Sequence, residues 1–309
     1  MTRRFGPDDG LAMLRVTESQ LPLDSYATRG GYDPAFVQPD DPLPLPGAGR
    51  WSDDLVPLIP DALSPGQDPT ELRYTHFSVR MSRSRALPLF SACNIDGSRS
   101  DRTIPRSNTW RRDPRIAPEY QNLRQGYGHE GQGLFSRGHM TRREDPNWGD
   151  RDTARQADAD TFHITNVAPQ RQGFNGGIWL RLEDYVLDNT DRANMRVSVI
   201  TGPVLSPDDP VYYNRRIPTA FWKVIAFVHA DSGELTTIGY RRSQMDYLPR
   251  PSGGRFVFAD FHDSQVPVAA IAAESGLELT EWAECDVMAG ASPDLEIRVT
   301  GVGDVYLMR

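Results

Sequence analysis

The sequence predicts an α+β protein: one large domain over residues 71–309, preceded by an extended, acidic, proline-rich arm over residues 1–70. Three observations predict it. A chain of 309 residues is long enough to bury a substantial core. Runs of strand character recur from Phe77 onward, with two stretches of helical spacing set among them. The stretch Gln38-Pro39-Asp40-Asp41-Pro42-Leu43-Pro44-Leu45-Pro46-Gly47, by contrast, suits neither a helix nor a central strand.

In chain order, Trp51, Leu55, Val56, Leu58 and Ile59 are the side chains expected to pin the arm onto the domain. Surface packing is the simpler reading of this arm; a docking or autoinhibitory segment, its acidic residues set in a basic cleft, is the sharper one. Residues 77–81 and 87–95 read as a pair of strands around the polar Ser82-Arg83-Ser84-Arg85, with Asp96-Gly97 as the next turn. Residues 101–135 are irregular: Arg102, Arg106, Arg111, Arg112 and Arg115 are interleaved with Trp110 and prolines, as on a loop that grips phosphate. A short strand is expected over 162–165. A helix is expected over 175–187, where Ile178, Trp179, Leu182 and Val186 share a face. Strands are expected over 195–201, 221–228 and 235–241. A helix over 266–275 is begun by Asp263-Ser264 and stopped by Gly276, and a last strand covers 295–302. There is no internal repeat.

The net charge of −8 argues at first against a nucleic-acid partner. Its distribution does not: residues 71–230 carry 23 basic and 18 acidic side chains, while both flanks are acid-rich. Lys223 is the sole lysine, so cationic contact falls to arginine, whose planar fork suits phosphate. Cys93 and Cys285 are too few for a disulfide framework or a thiolate metal site and are expected to be buried small hydrophobes. No run of about eighteen apolar residues occurs and the first residues have no apolar stretch behind them, so neither a membrane span nor a signal peptide is expected. A cytoplasmic location is the resulting expectation.

The chemistry concentrates between Ser136 and Tyr185. Ser136-Arg137-Gly138-His139 sets an imidazole beside a guanidinium in what reads as a glycine-containing turn. Phe174-Asn175 opens the helical stretch that carries Glu183, eight positions and roughly 80° around an ideal helix from Asn175. A base for water, a cation for phosphate and oxygen ligands for a hard metal are the parts that phosphodiester hydrolysis needs. An unperturbed imidazole is largely neutral near pH 7.5, so His139 needs no large shift to accept a proton. Asn175 also suits a helix N-cap, and both roles can hold at once.

These pieces, in this order, together with Thr161 to Gln170, Arg196 to Pro203 and Ile217 to Ile225, resemble the non-specific DNA/RNA endonucleases of the ββα-metal class over roughly residues 72–277. The resemblance implies a central, mostly antiparallel sheet flanked by helices. It implies a sugar-non-specific endonuclease that uses one Mg²⁺, with Mn²⁺ as a substitute, and leaves 5′-phosphates. His139 is then the general base and Arg137 the phosphate clamp, with Arg106 the nearest match to an upstream catalytic arginine. Asn175 holds the metal and Glu183 holds its waters. Ser136 and Asn166 shape the site, and Arg111, Arg112, Arg142 and Arg143 are candidates for nucleic-acid contact. The other histidines, His76, His129, His163, His229 and His262, match no such position and are read as structural.

The sequence departs from the family pattern twice. Ser136 stands where the family usually has Asp, and Leu187 falls where another arginine is expected. An inactive nucleic-acid-binding protein of the same fold is therefore the alternative. DNA and RNA are the expected partners, with weak base specificity. A cytoplasmic nuclease would further require restraint by an inhibitor or activating partner or by the arm, as in a toxin or anti-phage effector. A homodimer is left open.

Overall fold

The computed structural model describes residues 18–128, 135–171, 174, 190, 194–230, 232–245 and 263–299; the helix expected over 175–187, with Asn175, Glu183 and Leu187, lies outside them. The strands in chain order are β1 (Ser19–Gln20), β2 (Leu72–Arg73), β3 (Phe77–Ser82), β4 (Leu87–Asp96), β5 (Arg111–Arg112), β6 (Ser136–His139), β7 (Val167–Gln170), β8 (Arg196–Val204), β9 (Val211–Tyr212), β10 (Arg215–Arg216), β11 (Ala220–Val228), β12 (Leu235–Ser243), β13 (Asp263–Val266) and β14 (Ile297–Val299). The described α-helices are α1 (Arg151–Thr161), α2 (Val268–Ser275) and α3 (Thr280–Glu284).

Eight strands form one sheet in the order β14-β13-β12-β11-β8-β4-β3-β2, antiparallel at every pairing. Its central strands are buried on both faces, which is why β4 is a near-continuous apolar and small-residue run with all ten positions buried. One face packs Phe90, Ile200, Trp222 and Val224 against Val268 and Ile271 of α2 and Trp282 of α3. The other packs Phe77, Val79, Ile95, Val199 and Tyr240 against Tyr26, Val56 and Leu58. Burial of side chains of this size contributes about 1.5–3 kcal/mol each. Lys223, the lone lysine, is buried in the sheet and donates from Nζ to Thr201 Oγ1 at 2.9 Å.

Residues 18–70 are packed into the fold. Tyr26, Tyr32, Leu43, Val56 and Leu58 are buried, and Trp51 and Leu55 lie partly buried against the core. Polar contacts fasten the segment further: Trp282 Nε1 donates to Pro44 O at 2.9 Å, and Gly47 and Glu278 exchange backbone bonds at 2.9 and 3.0 Å. Arg29 donates from Nε and Nη2 to the Asp160 carboxylate at 2.8–3.0 Å, and the Thr75 backbone N and Oγ1 donate to the same carboxylate at 3.0 and 2.9 Å. Both charged side chains are almost fully buried.

The structure differs from the sequence reading at several places. Residues 162–165 are not a strand: Phe162 ends α1, Ile164–Asn166 is a 3-10 turn, and the strand is β7, which begins at Val167. α1 escapes an apolar-periodicity reading because its buried face is Ala154, Ala157, Asp158, Asp160 and Thr161. Its start is written instead in Asp150, whose side chain accepts from the backbone N–H groups of Asp152 and Thr153. The later helix starts at Val268 because Asp263–Val266 is drawn into the sheet beside β12, and Gly276, with φ of 72°, ends it. Cys93 is buried but Cys285 is only half-buried, and both are free thiols. Among the described residues no helix is long and apolar enough to cross a membrane.

The Arg29–Asp160 pair yields a stability prediction. Arg29→Ala leaves the Asp160 carboxylate buried without its cation, so urea unfolding is expected to show a loss of about 3–5 kcal/mol. An unchanged midpoint would mean the pair is not buried as described.

Candidate active site

The Ser136–His139 stretch, expected as a turn, is a strand: β6 and β7 pair antiparallel, with Arg137 opposite Pro169, Gly138 opposite Ala168 and His139 opposite Val167, and this backbone pairing holds the segment extended. Alternation along β6 sets Arg137 and His139 on one face and Ser136 and Gly138 on the other. The absence of a side chain at Gly138 leaves room for Gln170: a Cβ there would lie 1.9 Å from Gln170 Oε1 and 2.1 Å from its Cδ, so the glutamine would have to move. Gln170 therefore folds across the strand, and among the described residues neither polar atom of its buried amide has a hydrogen-bond partner. Asn166 fixes the exit from β6. Its backbone O accepts from Met140 N at 2.8 Å, its Oδ1 accepts from Thr141 N at 2.9 Å, and its Nδ2 donates to Thr141 O and Thr161 O at 2.9 and 3.1 Å.

The face shared by Arg137 and His139 is walled by aromatic rings. Trp110 lies 5.4 Å from the His139 ring and 4.8 Å from the Arg137 guanidinium, and Tyr127 lies 5.6 Å from that guanidinium. Phe162 meets His139 edge-on at 5.3 Å and Trp110 at 5.1 Å, and the exposed Arg106 lies 5.0 Å over Phe162. The three residues assigned catalytic roles, His139, Arg137 and Arg106, are thus brought around one Trp110–Phe162 pair. The rings themselves escaped the sequence reading of the site; Trp110 among the arginines of the 101–135 loop was the available signal.

The nucleic-acid-contact candidates divide. Arg111 and Arg112 sit on β5 directly after Trp110, Arg111 donating to Ala159 O at 3.1 Å and Arg112 to Gln20 Oε1 at 3.4 Å. Arg142 pairs with Glu144 at 3.2 Å, and Arg143 pairs with Glu144 and, at 2.9 Å, with Asp158. Arg115, which the sequence groups with the basic loop, is buried: it donates to Asp113, at 2.7 Å from Nη2. Burial alone would raise the Asp113 carboxyl, but Arg115 holds it at about 2. The Tyr74 hydroxyl donates to that carboxylate. His163 has the structural setting expected of it, with Nδ1 donating to Asp160 O at 2.8 Å and Nε2 accepting from the Tyr26 hydroxyl at 2.7 Å.

Among the described residues His139 Nε2 has no hydrogen-bond partner; the atom is shielded from solvent although the side chain as a whole is half-buried. Burial, then the charges of Arg106 and Arg143, lower its pKa to about 3, so the imidazole is neutral across the physiological range. Ser136, where the family usually has Asp, is on the strand face away from His139 and pairs with Gln170. Arg137 also has a partner that nothing in the sequence pattern announces, the carboxylate of Glu18. No group of three or more His, Cys, Asp or Glu among the described residues could hold a metal. The described part of the site supplies cations suited to phosphate and an unpartnered base nitrogen; the oxygen donors expected for a hard ion, Asn175 and Glu183, lie outside the described residues.

A large antiparallel sheet beside a separate short β-pair, with arginine and histidine two residues apart on one face of a strand of that pair, is the arrangement of a ββα nuclease-type fold. The model of the DNA/RNA non-specific endonuclease family matches residues 58–284, and the chain belongs to that family. It is 36% identical over 300 residues to the uncharacterised protein y4fB of Sinorhizobium fredii, covering 93% of this chain and 44% of that protein. It is 28% identical over 218 residues to the mitochondrial nuclease EXOG of Danio rerio, covering 66% of this chain and 59% of that one. The chain therefore spans less than two thirds of the length of these relatives. The solved EndoG/EndoGI complex contains a chain with the same fold, at a TM-score of 0.52 and 23% identity, covering 71% of this chain and 88% of that one.

The histidines predict the acid limb of stability. His139, His163 and His76 have folded pKa values below the unfolded 6.5, burial being the leading cause in each. The unfolded chain then binds more protons below pH 6.5, so stability is full above that value and is lost as pH falls through the interval toward the folded values. Melting temperature is expected to decline from pH 6.5 to 4, with a shallower decline in His139→Ala; an identical slope in the variant would contradict the buried setting of His139.

Proposed function

We propose that this protein is a metal-dependent endonuclease that hydrolyses phosphodiester bonds in DNA and RNA with little base preference. The observation that carries the reading is His139 Nε2, unpartnered among the described residues, on the same strand face as Arg137 and within the field of Arg106 and Arg143. In this reading His139 takes a proton from water through Nε2, and Arg137 and Arg106 hold the non-bridging phosphate oxygens. A base with a pKa near 3 is weak. Burial is the first cause of that shift and the charges of Arg106 and Arg143 the next; a phosphate held at Arg106 would offset one of those charges, so substrate entry raises the basicity of His139 in part.

Asn175, with Glu183 through water, would hold Mg²⁺ or Mn²⁺. The ion supplies Lewis-acid charge to the phosphate and its leaving oxygen. The products carry 5′-phosphates. Because the arginines grip phosphate rather than sugar or base, both sugars are accepted. A cytoplasmic enzyme of this kind needs restraint, and an inhibitor or activating partner, as in a toxin or anti-phage effector, belongs to the proposal. The second reading, nucleic-acid binding without turnover, is favoured by Ser136 and Leu187.

Cleavage of supercoiled plasmid and of a structured RNA by wild type and His139→Ala, in Mg²⁺ and in EDTA, tests the reading. Wild type is expected to cut both, EDTA to stop it, and the variant to be slower by about 10²–10⁴-fold. A wild-type protein that binds both polymers and cuts neither, in Mg²⁺ or Mn²⁺, would leave the binding-only reading standing. A second outcome concerns pH: with His139 neutral in the free protein, kcat/KM is expected to stay level from pH 7 to below 6, and an acid limb centred at 6.5 would contradict it.

A further inference from the structure

We infer that Glu18 is a positioning residue of this active site: carried in from the N-terminal segment, it sets the guanidinium of Arg137 for the phosphate. The inference rests on the nuclease reading and deepens it. Glu18 is 119 residues from Arg137 in sequence, yet its carboxylate accepts from Arg137 Nη2. The segment that delivers it is fixed beside the site. β1 begins at the next residue and runs parallel to β5, with Ser19 opposite Arg111 and Gln20 opposite Arg112. Ser19 donates to Trp110 O from its backbone N at 3.0 Å and from Oγ at 3.3 Å. Trp110 is the residue whose ring lies over both Arg137 and His139. One tryptophan therefore registers Glu18 through its backbone and the two site residues through its side chain.

The exposures separate positioning from obstruction. The Glu18 side chain is 2% exposed and that of Arg137 is 14% exposed. The carboxylate is out of solvent, while part of the arginine still reaches it. A carboxylate blocking the phosphate position would occupy the solvent side instead. Glu18 engages one terminal nitrogen, and Trp110 and Tyr127 lie near the guanidinium. The fork has five N–H donors, so donors are left for a substrate oxygen. An arginine side chain free to rotate must be ordered when phosphate binds; one held by a buried carboxylate and two rings is ordered beforehand. The acidic arm that the sequence offers as an inhibitor of a basic cleft thus contributes, at this contact, a part of the cleft.

The test is a double-mutant cycle of Glu18→Ala and Arg137→Ala, with Glu18→Asp as the conservative variant. It has two readouts: plasmid cleavage in Mg²⁺, and binding of a fluorescein-labelled 12-base-pair duplex in EDTA. Melting curves accompany each variant. Removing a negative charge beside a phosphate site strengthens binding if the charge only repels or blocks; positioning requires the opposite sign. Glu18→Ala is expected to lower kcat by about tenfold to a hundredfold and to weaken duplex binding, Glu18→Asp to recover part of both, and Glu18→Ala to have no further effect in the Arg137→Ala background. Faster cleavage or tighter duplex binding by Glu18→Ala would overturn the inference, as would effects of the two substitutions that multiply. If wild type binds the duplex but never cuts, the nuclease reading fails while the binding cycle still decides the role of Glu18.

Discussion

The Asp160 carboxylate is the point on which the site's geometry depends. It is taken out of water at the end of α1 and held by Arg29 from the N-terminal segment and by Thr75 from the turn between β2 and β3. The N-terminal segment, the edge of the main sheet and α1 thus meet on one group. The residues directly after Asp160 inherit that fixed position. Thr161 O accepts from Asn166, Phe162 packs on His139, and His163 is held by the Asp160 carbonyl and the Tyr26 hydroxyl. A buried ion pair contributes little net stability over an apolar substitute, because desolvation offsets the attraction. Its consequence here is directional: it fixes where the aromatic wall of the site stands relative to β6.

Much of this was legible in the sequence, for reasons that differ by residue. The sheet strands showed themselves because burial on both faces demands unbroken apolar runs, as in β4 and β11. His139 and Arg137 were read together from their adjacency, and the structure sets them two positions apart on one face of β6. Asn166 was legible as a residue that shapes the site, and its hydrogen bonds to Thr141 and Thr161 give that role a geometry. α1 was not legible, because a helix that buries alanine and hydrogen-bonded aspartate carries no hydrophobic stripe. Arg115 was misplaced for a related reason: an arginine in a basic loop reads as solvent-facing until the buried Asp113 beside it is seen to accept from it. The contact of Glu18 with Arg137 spans 119 residues, and no local pattern encodes a pairing at that range. The strand expected at 162–165 gives way to β7, further along the chain, because the 3-10 turn at Ile164–Asn166 is itself apolar and β-branched in part.

The charge of the chain also takes on a different meaning once the partners are known. A net charge of −8 opposes association with a polyanion at long range, and short-range contacts must overcome it. Lysine contributes nothing to those contacts, since Lys223 is buried at Thr201. Several arginines are already neutralised within the fold: Arg29 by Asp160, Arg115 by Asp113, and Arg143 by Asp158 and Glu144. The exposed Arg106, and Arg137 with its partner Glu18, stand next to the imidazole. Burial first, and the Arg106 and Arg143 charges second, keep His139 neutral in the free protein. In the proposed reaction a phosphate at Arg106 would offset part of that field, so that binding and activation of the base would be coupled; this requires cations fixed in place before substrate arrives, and the buried Glu18 carboxylate on Arg137 meets that requirement.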